Sequence, residues 1–346
     1  MRNVLIVLLI ILLLAVPVNA AEFTAPSAPQ EIQRYLPDET NDLGEGLWFV
    51  ISNVLKELRP NFTEAVHVCI SLISVSLLVS MLLNITGKSC AGLGMAGTSV
   101  VAILMIQPTD SMLQLGVKTI EALTEYGKLL IPVLTYALAA QGAVTKSTVM
   151  YTASAFVNSL LSSVVLQILV PLTYILLCVC ISNRFFDHRL LNNIRAFIKW
   201  LIVWGLKIVL YVFTGYVSIT GVISGTTDAA TLKATKLAIS GMVPVVGSIL
   251  SDASEAVLVS VGLMKNAAGI YGILTVIALG VGPFMQAGIQ YLMLMLSSGI
   301  CHMFGIKEMA ALIKDLSDIM GLMVAMIGTV SVIILISTVC FMKGMT

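Results

Sequence analysis

Charge is scarce in this chain. Asp, Glu, Lys and Arg make up 11% of its 346 residues against 58% hydrophobic residues, too little to clothe a water-soluble core. Histidine is nearly missing: His67, His188 and His302 stand at no metal-ligand spacing from a cysteine or from one another. P-loop, G-x-S-x-G and H-E-x-x-H patterns are lacking too, so the chain reads as a non-enzyme without catalytic, cofactor-binding or metal residues. Cys69, Cys90, Cys178, Cys180, Cys301 and Cys340 form no C-x-x-C and none falls in 22–65, which argues against disulfides and a zinc site. No basic run of nucleic-acid type occurs.

What is present is apolar sequence, with a mean hydropathy of +1.01. The fold class that follows is an all-α polytopic membrane protein, a helical bundle with an internal duplication and short re-entrant or broken helices. Residues 1–20 read as a signal peptide: Arg2, the apolar run Val4 to Val16, then Val18-Asn19-Ala20 as an A-x-A-like site. An uncleaved anchor is the alternative, though thirteen apolar residues are short for a bilayer core that needs about 20. Residues 21–65 follow as an exported acidic segment, eight acids against Arg34, Lys56 and Arg59. Its proline-bearing part suits a flexible tether, and 47–58 an amphipathic helix with Trp48 and Phe49 at headgroup level. The most basic connection, 183–199 with Arg184, Arg189, Arg195 and Lys199 against Asp187, is the cytoplasmic one by the positive-inside rule.

Residues 66–107 predict a transmembrane hairpin ending at Pro108, its second helix rich in small residues from Gly92 to Ser99 that allow close helix approach. Gly92 to Gly97 also fits G-x-G-x-x-G, but outside any βαβ context. Residues 110–128 predict an interfacial helix, and 129–140 a short apolar run holding Pro132. Pro132 and Pro244 are 112 residues apart, as are Pro171 and Pro283, and Ala196–Leu201 resembles Ala311–Leu316. These landmarks outline repeat A (116–224) and repeat B (228–342), with chance likeness among apolar segments as the alternative. Six to eight crossings are expected.

Paired Gly/Pro-interrupted apolar segments at 129–141 and 239–250 are what broken helices of channels and transporters look like. A kinked helix inside a bundle is the plainer alternative. Candidate gate or interior-lining residues are therefore Pro132, Pro244 and Gly247, with Asp252 and Glu255 pairing with Lys265 and Asn266, or all four solvated in a surface loop. Lys207 joins them as a cation within an apolar run, where charge is costly. Asn158, Gln167, Gln286 and Gln290 are expected to make interhelical hydrogen bonds.

The run Lys236-Leu-Ala-Ile-Ser-Gly-Met-Val-Pro-Val-Val-Gly-Ser-Ile-Leu-Ser-Asp-Ala-Ser-Glu-Ala256 and the run Leu263-Met-Lys-Asn-Ala-Ala-Gly-Ile-Tyr-Gly272 resemble the stage III sporulation protein AE family of endospore-forming bacteria. The resemblance takes in essentially the whole mature chain. It implies a multi-pass protein of the mother-cell membrane around the forespore, its N-terminal segment extracytoplasmic. It further implies a secretion-like channel complex needed for late forespore gene expression. The partners implied are ring-forming and membrane proteins, indirectly a cytoplasmic ATPase, and the lipid bilayer. A non-conducting scaffold and a stand-alone secondary transporter are the competing readings.

Overall fold

The computed structural model of the chain describes residues 26–37, 43–86, 91–140, 144–186, 189–223 and 267–344. The regular elements among them are helices: α1 (Gln30–Gln33), α2 (Leu43–Thr86), α3 (Ala91–Ala140), α4 (Val144–Val164), α5 (Val170–Phe186), α6 (Arg189–Ile223), α7 (Ala267–Met303) and α8 (Lys307–Gly344). A π-helical turn, Val165–Leu169, joins α4 to α5. Six stretches are long and apolar enough to cross a membrane: Leu43–Ile85, Gly92–Tyr136, Ser147–Arg184, Leu190–Ile219, Gly269–Met303 and Lys307–Met342. The protein is thus an all-α, multi-pass membrane protein.

At the centre stands α8, which packs against α7, α3, α6, α5 and α4. Its buried residues, among them Leu322, Met323, Val324, Met326 and Thr329, cover most of the circumference of the helix. A helix apolar on all sides belongs inside. Small residues let its neighbours close in: a Cβ added at Gly116 would lie 2.3 Å from the Met323 sulfur, and one at Gly97 2.8 Å from Val79. Gly305, at φ 83°, takes the left-handed conformation that turns α7 into α8. Beside that turn, Ser80 Oγ donates to the Phe304 carbonyl at 3.1 Å, so the α2–α3 and α7–α8 connections share one end of the bundle.

The helices run through several boundaries drawn from sequence. Pro108 does not end the second helix, and neither the interfacial helix at 110–128 nor the half-length segment at 129–140 exists separately; all are parts of the 50-residue α3, which also contains Pro132. Likewise the helix at 47–58 is the start of the 44-residue α2, continuous across Pro60. Each proline removes one N–H and leaves one carbonyl, at Leu104 and at Lys128 in α3, without its helical donor. Packing along the whole length of α3 offsets that loss, since Leu113, Ile120, Leu123, Tyr126 and Leu130 are buried on one face while Lys118, Glu121 and Glu125 are exposed. Ahead of Pro171, the π turn absorbs the clash instead. The tether expectation is corrected for 26–37, where Ala28, Ile32 and Leu36 are buried in the core and Arg34 pairs with Glu57 at 3.2 Å. The signal peptide and the segment 239–250 lie outside the described residues.

The apolar stretches are not level with one another. Along the helix axes Asp315 stands about 12 Å above the α7–α8 turn, whereas α2 residue Val66 stands only about 21 Å above the Ser80 contact. The apolar run of α2 therefore begins at the turn, and that of α6 begins at Trp200, beside Lys199 and its partner Asp318.

Candidate functional site

Two polar features interrupt the apolar bundle. The first is ionic. Asp315 of α8 accepts from Arg184 of α5 at 2.6 Å through one carboxylate oxygen and from Arg195 of α6 through the other. One helical turn on, Asp318 receives Lys199 of α6 at 2.6 Å and Lys314 of α8 at 3.4 Å. Beside them Asn183 donates to Asn192 Oδ1 at 2.8 Å, linking α5 to α6. The basic connection therefore folds back onto α8 as well as facing outward, and each carboxylate answers two cations. Asp315 is enclosed, its side chain 8% exposed, while Lys199 and Lys314 are 45% and 44% exposed. Burial at this depth is tolerable because the charge is paired and hydrogen-bonded.

The second is a cavity of about 250 Å³ between α3, α4 and α8, lined in part by Lys128, Pro132, Tyr151, Asn158 and Ser162. Asn158 Oδ1 accepts from Ser337 Oγ at 3.1 Å, an α4–α8 bond. A smaller space of about 30 Å³, large enough for one water, lies where Pro108 meets Glu64, Ser111, Gln286 and Gln290. Hydroxyls and thiols add interhelical bonds elsewhere: Ser76 Oγ and Cys301 Sγ are 2.8 Å apart, and Ser297 Oγ donates to Cys69 Sγ at 2.9 Å, both joining α2 to α7.

Of the residues singled out from sequence, Pro132 is placed in an unbroken helix, as a wall of the larger cavity. Lys207 is half-buried on α6, with no ion pair to it among the described residues. Pro244, Gly247, Asp252, Glu255, Lys265 and Asn266 lie outside the described residues. The interhelical role holds for Asn158, whereas Gln167 is exposed on the π turn. Sequence reasoning passed over Asp315 and Asp318. Their signal was an (i, i+3) pair of acids opening an apolar helix, in a chain whose cations cluster at 183–199. Notably, Lys199 and Lys314, the lysines at matching places in the two resembling segments, converge on one carboxylate.

A family model for stage III sporulation protein AE matches residues 35–344. A curated stage III sporulation protein AE of Bacillus subtilis (strain 168) is 22% identical over 187 residues, covering 54% of this chain and 47% of that protein. The chain spans about half the length of the curated relative it matches. No solved structure matches it. With the family match running from just after α1 to the end of α8, the chain belongs to the stage III sporulation protein AE family.

Proposed function

We propose that this sporulation-family membrane protein is an embedded component of a channel complex joining mother cell and forespore, required for late forespore gene expression. It sits in the mother-cell membrane around the forespore with its N-terminal segment extracytoplasmic. It acts without catalysis, alongside membrane and ring-forming partners and indirectly a cytoplasmic ATPase. The observation that carries this reading is the filled axis of the bundle. Side chains of α8 such as Met320, Met323 and Ile327 are fully buried where a self-contained transporter would need a passage, so among the described residues the bundle is filled, which supports a passage formed between chains.

The test is reconstitution of the purified chain in planar bilayers, alone and with its co-purifying partners. Conductance only with partners supports the proposal. Assembly of the full complex without conductance supports the scaffold reading, and substrate-coupled flux by the chain alone overturns both.

A further inference from the structure

We infer that the cavity between α3, α4 and α8 is a binding site for a phosphate-bearing anion. The argument starts from Asn158, which is 8% exposed and lines the cavity. Its Oδ1 is occupied by Ser337, but its Nδ2 is buried without a hydrogen-bond partner among the described residues. A buried N–H donor left unpaired is costly, and an acceptor oxygen supplied by a ligand relieves the cost.

Lys128 supplies the charge. It is exposed on α3 and lines the same cavity, together with the hydroxyl residues Ser159 and Ser162 and with no carboxylate in the lining. One amide donor, one ammonium and hydroxyl groups suit a tetrahedral oxyanion, whose several oxygens accept from all of them. Pro132 adds a complementary feature: by removing its own N–H it leaves the Lys128 carbonyl without a helical donor, ready to accept from a hydroxyl. An anion that carries hydroxyls, such as a phosphoglycerol group, would satisfy both. The apolar remainder of the wall, Ile131 and Ile334, would sit against its carbon skeleton.

Depth agrees with this chemistry. On α8, Ile334 lies about 24 Å beyond Asp318, where the apolar run of α6 begins. In a bilayer core about 30 Å thick the cavity then lies about 6 Å inside the boundary opposite the ionic cluster, within reach of a lipid headgroup there. Tyr151 in its wall and the exposed Tyr136 nearby on α3 are residues of that level.

The experiment uses the full chain in detergent, with three probes: dioleoyl phosphatidylglycerol, dioleoyl phosphatidylcholine and inorganic phosphate. Lipid retention is read by native mass spectrometry and phosphate binding by calorimetry, for the native chain, Lys128→Gln and Asn158→Leu. Lys128 is exposed, so its variant keeps the fold even if the Asn158 variant does not. Phosphatidylglycerol should be retained over phosphatidylcholine and lose about tenfold in affinity in Lys128→Gln, the loss of one charge-assisted hydrogen bond. The same loss seen for inorganic phosphate, with no preference between lipids, would assign the site to a soluble ligand. Equal retention of both lipids without phosphate binding overturns the inference, as does affinity unchanged in Lys128→Gln.

Discussion

Replacing Asp315 by asparagine leaves two guanidinium groups facing each other with their shared counter-charge gone. The side chains of Asp315 and Arg184 are 8% and 16% exposed, so the charges left behind are largely out of water. Breaking a buried pair of this kind costs about 3–5 kcal/mol. Arg195 is 29% exposed and can turn partly to solvent, which places the expectation near the lower end, about 3 kcal/mol. Asp318→Asn is the internal comparison. Its partners Lys199 and Lys314 are 45% and 44% exposed, and pairs of that exposure contribute about 0–1 kcal/mol. Equilibrium unfolding in mixed micelles measures both, read by tryptophan fluorescence in a Trp48→Phe background. The remaining Trp200 and Trp204 sit on α6, their rings 5.8 Å apart and one turn from Lys199. Adding Arg195→Gln to Asp315→Asn should recover part of the loss, because the two changes act on one pair. If Asp315→Asn proves no more damaging than Asp318→Asn, the cluster is solvated and does not anchor α5 and α6 to α8.

Gly116→Ala should destabilise the bundle by about 1–3 kcal/mol, because the new methyl would lie 2.3 Å from the Met323 sulfur. Gly215→Ala, with nothing within 4 Å, should be neutral or stabilise by about 0.5–1 kcal/mol in the same unfolding assay. Lys207→Met should raise stability, by at most about 2.5–3.5 kcal/mol. A loss there would reveal a partner for Lys207. Alkaline phosphatase fused at 187 and at 305 should be inactive and at 142 active, since the first two connections share the basic end and the third lies at the other. Activity at 187 would invert the proposed orientation.

How much could be read without coordinates follows from which forces are local. Membrane class, the apolar spans and the weight of the 183–199 cations depend on composition and nearby residues. They were visible in the chain itself. The lengths of α2 and α3 were not, because Pro60, Pro108 and Pro132 are breakers by local rules and are overruled only by neighbours packed along the helix. The charge cluster was half visible: Arg195 and Lys199 were marked, but their acids lie about 120 residues away in sequence on a helix that otherwise looks like a plain span. The small residues after Gly92 promised close packing, and Gly97 against Val79 shows it. Asn158 was placed correctly between helices, while nothing local marked its second amide atom as unpartnered.

The uneven heights of the α2 and α6 apolar runs bear on the lipid itself. Hydrocarbon about 30 Å deep that wets α2 from Val66 down to its end at Thr86 reaches past Asp315, while the sheath α6 needs begins only there. A flat leaflet cannot serve both flanks of one molecule. Either the bilayer dips by some 12 Å from one side of the chain to the other, or protein takes the place of oil along one flank. In the first case this chain is a wedge in the membrane plane, and copies set beside it would inherit its tilt; in the second, a companion's side chains must cover the flank that oil leaves bare.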